Sequence, residues 1–139
     1  MDESGEKAVA MLRDMGYSVE YLGVVSDDIA MIRTSVLKAL AGEYDAILIT
    51  GGTGISPTDV TVEAVRPLFD KELEGFGEIF RVESFRKVGA AAALSRACAG
   101  VLGSRLIMAV PGSPWAVETA IELFGREIPH IIFIARGLH

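Results

Sequence analysis

The stretch that decides the fold runs from residue 44 to residue 61 and reads YDAILITGGTGISPTDVT. Its first part, Ala46–Ile49, is short and almost wholly apolar, which is typical of a strand buried on both faces of a parallel sheet. Gly51, Gly52 and Gly54 follow directly. Because glycine permits positive φ and a close approach of a ligand to the backbone, the stretch predicts a strand that ends in a ligand-binding loop. We call residues 51–59 the glycine loop.

A helix is predicted to follow the glycine loop, with Thr61 as its N-cap. A loop of this kind, between a buried strand and a helix, offers N–H groups and a positive helix end at the carboxyl edge of the sheet, where anions bind. We therefore expect it to bind phosphate, although an ordinary strand-to-helix turn is the alternative. It is not a P-loop, because Ile55 and Ser56 replace the required Lys and Ser or Thr, and the third glycine of a dinucleotide fingerprint would fall on Pro57.

The composition limits the function classes. The 139 residues suit one domain over 1–139, and 50% hydrophobic residues with a mean hydropathy of +0.39 argue against disorder. A net charge of −6 makes nucleic acid and anionic membranes unexpected partners. No apolar run reaches the roughly 18 residues of a membrane span. Cys98 is the one cysteine of the sequence and is interpreted as a small core residue. Because a lone cysteine cannot form an internal disulfide and the start of the chain is acidic, the sequence predicts a cytoplasmic protein.

The spacing of apolar residues predicts the other elements. Helices are expected over residues 4–15, 29–40, 61–66, 78–85, 89–99 and 115–124. Strands are expected over residues 18–25, 106–110 and 131–134, in addition to 46–49. Strands that alternate with helices predict an α/β fold, a three-layer α/β/α sandwich with a mostly parallel sheet.

Three loops should meet at the carboxyl edge of that sheet, namely Ser26–Asp28, the glycine loop and Pro111–Pro114. One of the neighbouring acids Asp27 and Asp28 is expected to cap a helix, and the other to face the site. Asp59 closes the glycine loop, either to favour a helix dipole or to hold a metal. Two carboxylates beside a phosphate site are typical of Mg²⁺ ligands, and this pairing points to phosphoryl or nucleotidyl transfer.

Other candidates have two interpretations each. Gly75-Phe76-Gly77-Glu78 is either a turn between helices or a lip against a flat ligand. Ser113, between Gly112 and Pro114, is better placed to donate a hydrogen bond than to act as a nucleophile. Arg81, Arg86 and Arg96 either face phosphate or are solvated charges on the surface, the commoner case for a single arginine.

Taken together and in order, these motifs resemble the MoaB/MogA family of molybdenum-cofactor biosynthesis. The motifs are Thr50-Gly51-Gly52-Thr53-Gly54, Asp59-Val60-Thr61, Gly75-Phe76-Gly77-Glu78, Leu94-Ser95-Arg96 and Pro111-Gly112-Ser113-Pro114. The resemblance covers essentially the whole chain. It implies a molybdopterin-binding (MogA-like) fold and molybdopterin adenylyltransferase activity, in which Mg²⁺, ATP and molybdopterin give adenylylated molybdopterin and pyrophosphate. It also implies a homo-oligomer, a trimer or a dimer of trimers, and the metal-insertion protein of the pathway as a partner.

The resemblance assigns residues by position. Asp27 and Asp59 are the implied catalytic acids and Mg²⁺ ligands. The implied substrate-binding residues are Thr50, Gly51, Gly52, Thr53, Gly54, Ser56, Gly75, Phe76, Gly77, Glu78, Pro111, Gly112, Ser113 and Pro114.

The chain departs from the family pattern in two places. Thr58 stands where many members carry Arg, with Arg66 or Arg96 as possible replacements. The family's first strand and its Ser/Thr-Asp loop would fall before Asp2, so this strand is expected to be missing from the sheet. These departures favour the alternative of a pterin-binding or delivery module without catalysis. A different nucleotide enzyme on the same scaffold is a third alternative, against which Gly75-Phe76-Gly77-Glu78 argues.

Overall fold

The computed structural model describes residues 2–138. Its helices are α1 (Glu3–Asp14), α2 (Ile29–Leu40), α3 (Thr61–Val65), α4 (Glu74–Val88), α5 (Pro114–Phe124) and α6 (Ile128–Ala135). Its strands are β1 (Ala46–Thr50), β2 (Lys71–Glu72), β3 (Cys98–Leu102) and β4 (Arg105–Val110). Short 3₁₀ helices cover Arg66–Leu68, Gly89–Leu94 and Gly125–Glu127.

The four strands form one mixed sheet in the order β1-β4-β3-β2. β1 runs parallel to β4, whereas β3 is antiparallel to both β4 and β2. The predicted, mostly parallel sheet is therefore a mixed one, in which β1, β2 and β4 run in one direction and β3 alone is reversed. The cause is the tight connection between Leu102 and Arg105, which turns β4 back along β3 through Gly103 in a left-handed conformation (φ 62°).

Helices cover both faces of the sheet, which confirms the three-layer α/β/α sandwich. Leu106, Met108 and Val110 of β4 pack on one face in a core with α1, α4, α5 and α6. The alternate residues Ile107 and Ala109 pack on the other face against α2 and α3. This alternation follows from the two-residue period of a strand.

Several predicted elements are confirmed. The helices over 4–15, 29–40 and 115–124 correspond to α1, α2 and α5, and the strands over 46–49 and 106–110 correspond to β1 and β4. The helix that follows the glycine loop gives way to a 3₁₀ turn at Arg66, next to Pro67, as the ring of proline requires.

Other predictions are wrong for identifiable reasons. Ile131–Ile134 belongs to α6 rather than to a strand, since a short apolar run does not distinguish the two by itself. Residues 89–99 form a 3₁₀ helix followed by the start of β3. Residues 18–25 lack regular structure, because no strand in residues 2–138 pairs with them.

The sheet ends at β1, whose residues are only half-buried. A cleft of about 1260 Å³ lies between β1 and residues 17–25. We call it the strand cleft. Among residues 2–138, no helix is long and apolar enough to cross a membrane.

The buried position of Cys98 predicts a low reactivity of its thiol. Its side chain is 2% exposed, and burial raises the pKa of the thiol to about 11. Because the thiolate is the reactive form, alkylation by iodoacetamide at pH 8 should be about 100-fold slower in the folded protein than in urea. The variant Ala93→Cys, which places a second thiol at an exposed position, provides the reference rate. Equal rates at the two positions in the folded protein would contradict the structure.

Candidate functional site

The parallel pairing of β1 with β4 places two loops side by side. Thr50 is in register with Val110, and the Gly51 N–H donates to the Val110 carbonyl at 2.8 Å. The glycine loop and residues 111–113, which we call the proline loop, therefore leave the sheet together. A Cβ atom on Gly112 would lie 3.3 Å from the Gly51 Cα, so the two backbones are nearly in contact.

The glycine loop requires its first two glycines. Gly51 and Gly52 have φ angles of 95° and 73°, in the left-handed region that other residues rarely adopt. In addition, a Cβ on Gly52 would overlap the Thr61 side chain. The Gly52 carbonyl accepts the Thr61 N–H at 3.0 Å, and α3 begins there with Val60, not Thr61, at the N-cap position. The predicted capping role of Thr61 is therefore wrong.

Arg96 holds the glycine loop from the other side. Its backbone N–H donates to the Thr53 carbonyl at 2.7 Å, its Nε donates to the Gly54 carbonyl at 2.8 Å, and its Nη2 donates to the Asp59 carbonyl at 3.1 Å. The same guanidinium pairs with the Glu63 carboxylate and holds the pKa of that carboxyl below its usual value. We call this set of bonds the Arg96 clamp.

The Arg96 clamp decides one open alternative. Arg96 is neither a solvated charge nor a free phosphate ligand, because its donors are directed at loop carbonyls and Glu63. Arg66 likewise pairs with Glu72, with Nε and Oε1 2.8 Å apart. Many family members carry an arginine at the position of Thr58. Because the guanidinium groups of Arg66 and Arg96 are both engaged in these pairs, the structure does not support either of them as a replacement for that arginine.

Free backbone donors collect at the junction of the two loops. Among residues 2–138, no hydrogen bond uses the N–H groups of Gly52, Thr53 or Gly54. Next to them α5 begins at Pro114, and the side chain of its N-cap, Ser113, makes no capping bond. The positive end of α5 and unused N–H groups therefore lie together, the arrangement that binds anions.

One of the two neighbouring acids, Asp28, caps a helix as predicted. Asp28 accepts the Met31 N–H at 2.9 Å, and Asp27 lines the strand cleft, whose lining also includes Gly51 and Gly52. Asp59 accepts the Ser56 N–H at 3.0 Å within its own loop. Within residues 2–138 the two proposed Mg²⁺ ligands, Asp27 and Asp59, do not line the same cavity. Their pairing stays a prediction.

Residues 75–78 occupy the first turn of α4, not a turn ahead of a helix. α4 nevertheless starts at the same edge, because β2 leads into it in the direction of β4. Phe76 is buried, with its ring centroid 4.4 Å from that of Phe124, and a Cβ on Gly77 would lie 2.7 Å from the Ala97 carbonyl oxygen. Phe76 and Gly77 are therefore packing residues, whereas Gly75 and Glu78 are exposed.

A second cavity of about 290 Å³ opens beside the glycine loop. Thr53, Gly54 and Pro111 form one side, and Trp115 and Ser84 lie among its other lining residues. The Ser84 hydroxyl is buried and has no hydrogen-bond partner in the described part of the chain. Sequence reasoning missed Ser84 and Trp115. The spacing of Phe80, Ser84 and Val88, four residues apart on one face of α4, would have pointed to Ser84.

Comparison with known proteins identifies the family. A family model described as "Probable molybdopterin binding domain" matches residues 1–130. Molybdenum cofactor biosynthesis protein B from Staphylococcus carnosus (strain TM300) is 44% identical over 135 residues, a match that covers 94% of this chain and 79% of that protein. The chain belongs to the MoaB/MogA family. It is thus a member of a molybdenum-cofactor biosynthesis family with a molybdopterin-binding domain.

Solved structures of the MoaB/MogA family share the fold. A crystal structure of Molybdenum cofactor biosynthesis protein B superposes with a TM-score of 0.93 at 40% identity, covering 98% of this chain and 86% of that chain. The tungsten cofactor synthesizing protein MoaB from Pyrococcus furiosus superposes with a TM-score of 0.89 at 40% identity, covering 97% and 86%. The MogA-like fold predicted from the motifs is confirmed.

The Arg96 clamp should set the stability of the glycine loop. Arg96→Gln removes the charged donors to two loop carbonyls and to Glu63, so we expect a loss of about 1–2 kcal/mol in the free energy of unfolding. Arg86→Gln, which alters an exposed ion pair with Glu83, is the matched control and should change it by less than about 0.5 kcal/mol. Urea denaturation measures both. A loss for Arg96→Gln no larger than that of the control would contradict the clamp.

Proposed function

We propose that this protein transfers AMP from ATP to the terminal phosphate of molybdopterin. The observation that carries the proposal is the group of unused N–H donors at Gly52, Thr53 and Gly54, next to the start of α5. Donors of this kind bind phosphate oxygens without a cationic side chain. Membership of a molybdenum-cofactor biosynthesis family supports molybdopterin as the molecule that carries one of those phosphates.

The cavity next to these donors is suited to the pterin ring system of molybdopterin. Its volume of about 290 Å³ is close to the lower end of the range of ligand pockets, roughly 300–1,000 Å³. It is lined mainly by apolar side chains, and Trp115 adds an aromatic surface to its wall. The unpartnered Ser84 hydroxyl is a polar group that a pterin could satisfy.

The proposed reaction needs no side chain to act as a base. An oxygen of the molybdopterin phosphate, already anionic, forms a bond to the α-phosphorus of ATP. The bond from that phosphorus to the α–β bridging oxygen breaks, and pyrophosphate leaves with the electron pair. The N–H groups of the glycine loop would stabilise charge that develops on the phosphoryl oxygens, because they are already oriented before the reaction.

Asp27 and Asp59 are the residues proposed to hold Mg²⁺. Carboxylate oxygens suit this ion, which in proteins is commonly bound by one or two carboxylates together with substrate phosphates. Asp59 uses one oxygen, Oδ2, to accept the Ser56 N–H, and its other oxygen has no described partner. Within residues 2–138, no cluster of three or more Asp, Glu, His or Cys could hold a metal ion, which fits an ion that arrives with ATP. When bound, Mg²⁺ would offset the negative charge of the phosphates.

Self-association is a further part of the proposal. Ile79, Val82 and Phe85 are more than half exposed along one side of α4. Apolar side chains grouped in this way are typical of protein interfaces. We expect this face of α4 to be buried in a homotrimer or a dimer of trimers. We further expect the protein to act in the cytoplasm, with the metal-insertion protein of the pathway as a partner.

A non-catalytic pterin-binding module is the second candidate. It is favoured by the position of the two acids, since Asp27 lines the strand cleft and Asp59 is engaged within the glycine loop. Such a protein would bind molybdopterin through the same N–H groups and would release it unchanged.

An assay with molybdopterin, Mg²⁺ and ATP labelled at the α-phosphate tests the proposal. Asp59→Asn keeps an oxygen that can accept the Ser56 N–H but removes the charge, so we expect transfer to fall about 100-fold or more with the fold intact. Asp27→Asn should have a similar effect. Asp28→Asn is the matched control, because asparagine also caps helices and should leave transfer nearly unchanged.

The outcomes separate the two candidates. Labelled adenylyl-molybdopterin supports the transferase. Tight binding of molybdopterin without labelled product supports the binding module instead. Full transfer by Asp59→Asn would remove Asp59 from the mechanism.

A further inference from the structure

The two acids proposed to hold Mg²⁺ lie ahead of two neighbouring helices. Asp27 stands two residues before the start of α2 at Ile29, and Asp59 stands two residues before the start of α3 at Thr61. Each acid therefore belongs to a segment that leads into one of the two helices. The separation of the two carboxylates depends on how α2 lies against α3.

The buried contact between α2 and α3 is apolar. Ile32 and Val36 of α2 lie in one buried cluster with Val62 and Val65 of α3. Apolar contact is non-directional, so it holds two helices together without fixing how far one is displaced along the other. A hydrogen bond depends on distance and angle, and it can fix that displacement.

Arg33 of α2 supplies directional contacts of this kind. Its Nε donates to the Ala64 carbonyl at 3.1 Å, and its Nη2 donates to the Glu63 carbonyl at 3.2 Å. The Arg33 side chain is half-buried, and it takes part in no salt bridge among residues 2–138. The guanidinium is therefore directed at the backbone of α3.

The sequence of α3 explains why this helix needs an external donor. In an α-helix the Glu63 carbonyl would accept the N–H of the residue four positions later, but that residue is Pro67, which has no N–H. α3 is also only five residues long, too short to be stable without tertiary contacts. Arg33 thus supplies a donor that the backbone of α3 lacks.

Glu63 connects Arg33 to the Arg96 clamp. Its carbonyl accepts from Arg33, whereas its carboxylate accepts from the Arg96 guanidinium, with Oε1 3.1 Å from Nη2. Arg96 in turn donates to the Asp59 carbonyl. Without the bonds from Arg33, Asp59 would stay with the glycine loop through Arg96. α2, and Asp27 with it, would lose its fixed place relative to that loop.

We propose that Arg33 is a positioning residue, which fixes the separation of Asp27 and Asp59 by tying α2 to α3. It acts through the backbone of α3 and not on the substrate, because it lines neither of the two cavities described for residues 2–138. The inference rests on the proposed function in that it takes the two acids as the Mg²⁺ ligands. The placement of the two segments can nevertheless be measured without Mg²⁺ or ATP.

The distance between two nitroxide labels, measured by electron paramagnetic resonance on the full chain, tests the placement. Ser26→Cys and Thr58→Cys put the labels at exposed positions on the two segments. Labelled protein is refolded with an excess of unlabelled protein, so that each oligomer carries one labelled chain. Arg33→Gln should at least double the width of the distance distribution, because α2 is freed to shift along α3. Arg33→Lys, which keeps a charged donor, should restore part of the narrow distribution.

Calorimetric titration with pyrophosphate, with and without Mg²⁺, tests the consequence for the site. Arg33→Gln should weaken binding by about tenfold in Mg²⁺, because an ion shared by two carboxylates requires them at a fixed separation. Without Mg²⁺ the loss should be less than about twofold, because the Arg96 clamp and the N–H groups of the glycine loop are retained. Lys38→Gln, which removes an exposed charge from the same helix, is the matched control and should change neither value.

Three results would overturn the inference. The first is an equal width of the distance distribution with Arg33 and with Arg33→Gln. The second is an equal loss of pyrophosphate affinity with and without Mg²⁺, which would make Arg33 a residue of general stability. The third is a chain with Arg33 intact that binds pyrophosphate equally well with and without Mg²⁺.

Failure of the proposed function would give a different pattern. The chain would then form no adenylyl-molybdopterin, while the label distances and the Mg²⁺-dependent affinity for pyrophosphate would still depend on Arg33. That pattern would support the positioning role of Arg33 and would remove only the transfer reaction.

Discussion

The in-register parallel pairing of β1 with β4 is the constraint on which the candidate site depends. Since the strands run in the same direction and end together at Thr50 and Val110, the loops that follow them must leave the sheet at one edge. The bond from the Gly51 N–H to the Val110 carbonyl extends this pairing one residue into the glycine loop. The left-handed backbone at Gly51 and Gly52 then turns the chain away from the sheet. The N–H groups that follow therefore form no hydrogen bonds within the sheet.

Arg96 fixes the conformation of the glycine loop, which the backbone alone does not do. A loop with several unused donors would lose much conformational entropy on binding a ligand, whereas the Arg96 clamp holds three of its carbonyls before any ligand arrives. The guanidinium is therefore used to position the loop and not to contact phosphate.

Sequence reasoning succeeded where pattern and local chemistry agree. The apolar run of β1, the glycines after it and the Pro-Gly-Ser-Pro segment before α5 each have a direct physical reason, and the structure places them at one edge. It failed where tertiary packing decides. The run Ile131–Ile134 suits a strand or a buried helix equally, and it is helical in α6. Phe76 lies within a motif expected to face the ligand, yet it packs against Phe124.

The direct test of the central claim is a backbone amide NMR titration of the protein with pyrophosphate and Mg²⁺. The structure predicts that the amide resonances of Gly52, Thr53 and Gly54 shift together with those of the proline loop, while that of Gly51, already bonded to Val110, shifts least within the glycine loop. Absence of shifts at Gly52–Gly54, with saturable shifts elsewhere on the molecule, would contradict the claim that this loop binds the phosphate.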